Sequence, residues 1–238
     1  MGDIIIVANT GEDSITIVDL SNSNKTKTIP LTALINKDDK LNIYLDTYHI
    51  GPYDLCISSN KKNIYLTNVY DNSLFKISMD SMKIEDVLPV GKFPIGVEAC
   101  GGLIFVISSD SNCVSIIDEE SFKNIENISL GEKPIDVVID KNNEKAYVAN
   151  GNGYSVDVID IKKDTLETIK LNKNPIKIQI ENNLLYVLSN INNGVLNCSD
   201  VSVLDIESNV VKNVISLKGN YNNMVKPVGK EFVYITSQ

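Results

Sequence analysis

A self-similarity of about forty residues constrains this chain more than any other feature. Pro52 begins PYDLCIS, Pro94 begins PIGVEAC, Pro134 begins PIDVVID and Pro175 begins PIKIQIE. The intervals are 94−52 = 42, 134−94 = 40 and 175−134 = 41 residues. A fifth copy, NMVKPVG, starts at Asn223 after 223−175 = 48 residues. A glycine lies at or shortly before three of the proline starts (Gly51, Gly91 and Gly131), and Gly219 precedes the fifth copy. Each start is followed by a second apolar element: NIYLTN, LIFVIS, KAYVAN, LLYVLS and FVYITS, with IIIVAN at residues 4–9 lacking the predecessor. A third element (SITIVDL, SLFKIS, CVSIID, SVDVID, DVSVLD) and a more polar fourth (KIEDVLPV, NIENISL, TLETIKL, VVKNVISL) complete the unit.

Each element is short, rich in Val, Ile and Tyr, and bounded by Asn, Gly, Asp or Ser. Those are the marks of strands joined by hairpin turns. No segment sustains a helical period. Four strands per unit, repeated, predict an all-β fold: a β-propeller of four-stranded antiparallel blades, about five in number. One blade cannot cover both of its own faces, so its inner strands must be apolar on both sides and Val137 and Val148 should pack between blades. The single domain spans 1–238, with an insert at about 32–48 that breaks the period. A five-bladed ring would close if NMVKPV joined IIIVAN. FVYITS would then duplicate that slot, so an incomplete six-bladed ring and a fragment are the alternatives.

Tyr147-Val148-Ala149-Asn150, followed by Val156-Asp157-Val158-Ile159-Asp160, resembles the YVTN-type β-propeller repeat. Tyr65-Leu66-Thr67-Asn68 followed by Gly91-Lys92-Phe93-Pro94 resembles it too. The resemblance covers nearly the whole chain outside the insert. It implies the propeller fold and, for function, either a binding scaffold or an enzyme of lactonase or lyase type. With no Trp in the chain, the WD signature is absent.

Charge narrows the partners. A net charge of −9 disfavours nucleic acid and anionic membrane, both of which demand surplus Lys and Arg. The start MGDIIIVANT has neither a basic leader nor an apolar run long enough to cross a bilayer, which points to a cytoplasmic protein. Cys56, Cys100, Cys113 and Cys198 form no CxxC pair and suit reduced thiols.

Catalytic motifs are missing. There is no GxSxG, P-loop, HExxH or EF-hand loop, and His49 is the one histidine. GNGYS at Gly151 lies between strands and suits a hairpin turn. Asp19, Asp118, Asp160 and Asp205 close third strands, where an Asx turn needs a carboxylate. Along the first strands, Asp54, Cys56, Gly96, Glu98, Asp136, Val138, Lys177 and Gln179 fall on alternate positions and share a face. In a propeller that face is expected to border the central channel. Asp54, Glu98, Asp136 and Lys177 would then line an acidic channel, or else be solvated and linked internally to Lys177.

The insert ends in Asp46-Thr47-Tyr48-His49 and runs directly into Gly51-Pro52. This places Tyr48, His49 and Tyr53 at the channel mouth beside Asp54, with Asp136 and Lys177 as further ligand-binding candidates. Long loops in compact repeats often carry function. The expected function is non-catalytic binding of a protein or small molecule, with no cofactor. The alternative is a lactonase- or lyase-type enzyme using a divalent cation such as calcium, for which Asp54, Glu98 and Asp136 are the candidate ligands.

Overall fold

The structure is a computed structural model that describes residues 4–21, 25–34, 49–142, 144–192 and 197–237. The chain divides into two compact units, residues 1–128 and 129–238. Among the described residues all regular structure is strand, apart from two 3₁₀ turns at Thr10–Glu12 and Leu31–Leu34. None of it is a helix long and apolar enough to cross a membrane.

Unit 1 opens with a three-stranded sheet, β1 (Ile4–Asn9), β2 (Ser14–Asp19) and β3 (Lys25–Pro30). Next comes the meander β4 (Pro52–Ile57), β5 (Asn63–Asn68), β6 (Ser73–Ser78) and β7 (Ile84–Pro89). A second meander follows: β8 (Pro94–Cys100), β9 (Leu103–Ser108), β10 (Cys113–Asp118) and β11 (Lys123–Ser129), the last residue of which already belongs to unit 2. Unit 2 holds β12 (Pro134–Asp140), β13 (Lys145–Asn150), β14 (Ser155–Asp160) and β15 (Thr165–Lys170). Then come β16 (Asn174–Glu181), β17 (Leu184–Asn192), β18 (Asn197–Asp205) and β19 (Val210–Lys218). A two-stranded sheet of β20 (Asn223–Val225) and β21 (Tyr234–Thr236) ends the unit.

Five sheets of three or four strands are thus the propeller blades. Among the described residues the strand pairs join chain neighbours, most of them through short turns. Among the described residues of unit 2, β20 pairs with β21. The local hairpin is held because Met224, Val233 and Ile235 pack against Leu188 and Val201 of the preceding blade.

Blade faces bury each other as the repeat requires. On β5, Ile64 and Leu66 join a cluster with Ile15, Ile29 and Phe75, while Tyr65 on the opposite face joins Val97, Ile104 and Val106 of the next blade. In unit 2, Tyr147, Ala149, Val156 and Val158 pack against Ile178, Leu185, Val187 and Leu204. Val137 and Val148 are register partners and are 5% and 0% exposed. The second strands β5, β9 and β13 are buried from their second residue onward, whereas the outer strands β11 and β15 are almost wholly exposed. Full coverage of both faces is why the inner strands are continuous apolar runs and not alternating ones.

The aspartates that close the third strands do form the expected turns. Asp118 accepts from the Ser121 backbone N–H (2.7 Å) and hydroxyl (2.5 Å). Asp160 accepts from the N–H of Lys163, and Asp205 from those of Glu207 and Ser208. Asp19 does the same for Ser21. A second recurring bond staples the hairpin between second and third strands: the amides of Asn9, Asn68 and Asn150 donate to Ser14, Ser73 and Ser155 at 3.0–3.1 Å.

Candidate functional site

The entry to β4 is built on a turn that only glycine allows. Gly51 has φ +68°, and a Cβ there would lie 2.5 Å from the ring of Tyr70. The tyrosine ring therefore lies flat against bare backbone. Asp13, itself left-handed at φ 47°, accepts the N–H groups of Ile50 (2.9 Å) and Gly51 (2.7 Å). Thr10 donates its hydroxyl to the carbonyl of Pro52 at 2.7 Å. Side chains of the first sheet thus hold the start of the second.

Three rings project from this fixed backbone. His49 is 82% exposed, with Nδ1 3.4 Å from the second oxygen of Asp13. Tyr53 is 50% exposed and Tyr70 is 59% exposed. Tyr48 lies outside the described residues, as does most of the expected insert, residues 35–48. Sequence reading missed Asp13 and Tyr70. Tyr70 could have been suspected from the Gly51-Pro52 pair, because a required glycine often marks a close neighbour. Nothing in the pattern pointed to Asp13.

Of the alternate positions on the first strands, Asp54, Asp136 and Gln179 reach toward the next sheet. Asp54 accepts the N–H of Val97, 2.9 Å away on β8. Asp136 accepts the N–H of Ile178, 2.9 Å away on β16. Gln179 both accepts from the N–H of Lys226 (2.6 Å) and donates to its carbonyl (2.9 Å). Val97, Ile178 and Lys226 stand three residues after Pro94, Pro175 and Asn223, so one repeat position donates its N–H each time, to a side chain two residues after the proline in Asp54 and Asp136 and four after it in Gln179. A bulge explains why a side chain is needed there. The ladders of β8, β12 and β16 with their second strands all shift register immediately after the proline, and that of β4 shifts between Pro52 and Leu55. A bulge interrupts pairing and re-aims side chains.

Lys177 completes the unit 2 arrangement. Its ammonium lies 3.1 Å and 3.0 Å from the two oxygens of Asp136, with side chains 41% and 15% exposed. Burial pushes the Asp136 carboxyl above the usual range. The Lys177 ammonium and the N–H of Ile178 pull the other way without cancelling it. Glu98 is half-buried on β8. Within either unit, no group of three or more His, Cys, Asp or Glu among the described residues is placed to hold a metal ion.

Tyrosines of the second strands tie successive blades together. The Tyr65 hydroxyl lies 3.3 Å from Glu119 and its ring stacks on Phe122, with centroids 6.0 Å apart. Tyr147 donates to the carbonyl of Ile206 at 3.1 Å. Burial drives both phenols well above their ordinary range, so they act as structural hydrogen-bond donors.

No protein-family model matches the chain, and no curated protein matches it either. The YVTN-type resemblance therefore rests on the repeat words alone. Solved structures do match. Hydrazine synthase of Kuenenia stuttgartiensis is similar at TM-score 0.69 and 20% identity over 80% of this chain and 55% of that one. The WD40 repeats of RRP9 align at TM-score 0.75 and 12% identity, over 98% and 69% of the two chains. A catalytically inactive virginiamycin B lyase from Staphylococcus aureus, with quinupristin, aligns at 0.72 and 12%, over 98% and 73%. This chain therefore spans little more than half of the hydrazine synthase chain. Likeness at these identities establishes the class, a β-propeller, and nothing narrower. WD40 repeats and a lyase stand side by side among the similar structures, so the fold alone does not select an activity.

Proposed function

We propose that this propeller is a non-catalytic binding scaffold, and that the β4 entry is its recognition surface. One observation carries the reading: His49, Tyr53 and Tyr70 expose their rings around a backbone pinned by Asp13, Thr10 and Gly51. Rigid aromatic side chains bind at low entropic cost, and such anchors typically contribute over about 1 kcal/mol each at a protein interface. Asp54 follows Tyr53 on β4, its carboxylate already committed to the N–H of Val97.

The second reading, a lactonase- or lyase-type enzyme with a cation such as calcium, draws on the likeness to virginiamycin B lyase. It needs carboxylate oxygens of Asp54, Glu98 and Asp136 to face an ion. Asp54 and Asp136 each spend one on a backbone N–H, which favours the scaffold.

The experiment is affinity capture followed by calorimetry with the purified partner. Tyr53→Ala and Tyr70→Ala should each weaken binding at least about fivefold, while Lys123→Ala on an outer strand leaves it unchanged. Wild-type affinity in both tyrosine variants would move recognition elsewhere. Calcium binding that is lost in Asp54→Asn would favour the enzyme.

A further inference from the structure

One cleft of unit 2 departs from the repeat in both shape and charge. It lies between the β12–β15 and β16–β19 blades, has a volume of about 160 Å³ and is bordered by Lys170, Leu171, Lys173, Ser189, Asp200 and Val214. In the preceding copy of the same place, the cleft is bordered by Gly131, Glu132, Ser155 and Asp157. There Gly131 lies so close to Asn150 that a Cβ would sit 2.5 Å from the amide nitrogen. Asn150 fills the space and donates to Ser155. In the later copy, Asn172 replaces the glycine, Ser189 replaces Asn150, and Asp200, the register partner of Ser189, replaces Ser155. The later cleft is the tighter of the two, about 160 Å³ against about 390 Å³, and the shorter serine leaves its hydroxyl without a partner there.

That hydroxyl is buried, since Ser189 is 2% exposed. Asn68, Ser108 and Asn150, at the equivalent repeat position, also carry a buried oxygen without a partner, and an ordered water suits all four. What the later cleft adds over its predecessor is Lys173 in place of Glu132, while Lys170 borders both clefts. Lys173 and Asp200 form an ion pair at 2.5 Å with side chains only 14% and 11% exposed. The exposed Lys170 stands at the rim. Two ammonium groups against one carboxylate leave the cleft net positive on a chain of net charge −9. The groups able to donate outnumber the one carboxylate: the Lys173 ammonium, charge-paired with Asp200, carries three N–H groups, and Ser189 and Lys170 bring more.

We propose that this cleft binds a small oxyanion, a carboxylate or a phosphate, held by Lys173 and the Ser189 hydroxyl with Lys170 at the entrance. Leu171 and Val214 form an apolar wall that strengthens the charge interaction by excluding water. Asp200 keeps Lys173 in place and limits affinity by its own charge. The site shares no residue with the β4 entry, so it stands or falls apart from the scaffold reading.

The test is calorimetric titration of the whole chain with inorganic phosphate and, separately, acetate, in chloride buffer of matched ionic strength. Saturable binding of either anion is expected, and the preferred one identifies the class. Ser189→Ala should weaken it about fivefold and Lys173→Met more than about tenfold, the sizes expected for losing a hydrogen bond to a charged ligand and a buried cation. Asp200→Asn should tighten it. If Lys173→Met fails to fold, which circular dichroism would reveal, Ser189→Ala and Asp200→Asn still decide the matter. Absence of saturable heat with both anions, or unchanged affinity in the folded variants, would overturn the proposal and leave the cleft to water.

Discussion

Replacing Asp136 probes the device that couples one blade to the next. In Asp136→Ala the N–H of Ile178 loses its acceptor at 2.9 Å, inside a region where Ile178 itself is 1% exposed. Loss of a charge-assisted hydrogen bond and stranding of a buried donor together cost about 2–4 kcal/mol. The ion pair adds little, because Lys177 is 41% exposed and returns to water, a contribution of about 1 kcal/mol or less. Asp136→Asn should therefore be mild, at about 1 kcal/mol or below, since its amide oxygen still accepts from Ile178 and no charge is buried. Urea unfolding of wild type, Asp136→Ala, Asp136→Asn, Lys177→Met and the Ala/Met double variant measures all of this. The cycle should show coupling under about 1 kcal/mol. If Asn is as damaging as Ala, or if the coupling accounts for most of the Ala effect, the carboxylate acts through Lys177 and the backbone-clamp reasoning is refuted.

Val148→Asp places a charge at a 0% exposed position opposite Val137 and should cost about 4 kcal/mol or more; a near-native melting temperature would contradict the blade alignment. The turn aspartates predict an acid limb. The Lys212 ammonium and the Ser208 N–H hold Asp205 well below the usual carboxylate range, the Ser121 hydroxyl and N–H lower Asp118, and Lys163 lowers Asp160. Folded values below the unfolded value of about 3.9 mean that this stabilisation is complete above it and is lost as pH falls through the folded values. Asp136, shifted upward, works in the opposite sense and softens that limb. Thermal melts across the acid range should steepen below about pH 4, and Asp205→Asn should flatten the slope; an unchanged slope would show that the turn carries no linkage.

The sequence by itself determined the strand count per unit, the hairpin connectivity and the turn chemistry. Those depend on local pattern: Asp205-Ile206-Glu207-Ser208 can close a turn wherever it stands, and Tyr147-Val148-Ala149 is apolar on successive residues because both of its faces need cover. Alternation placed Asp54, Asp136 and Gln179 among one set of first-strand positions. Where those side chains reach was decided by tertiary structure. The bulge after each proline and the approach of the next first strand turn those side chains onto the N–H groups of Val97, Ile178 and Lys226, about forty residues away in sequence. Asp13 reaches Gly51 across a comparable separation, with no periodic signal to announce it. Period and propensity are properties of neighbours along the chain. Hydrogen bonds between blades exist only once folding has brought distant segments within three ångströms, and the candidate surfaces of this protein are built from those.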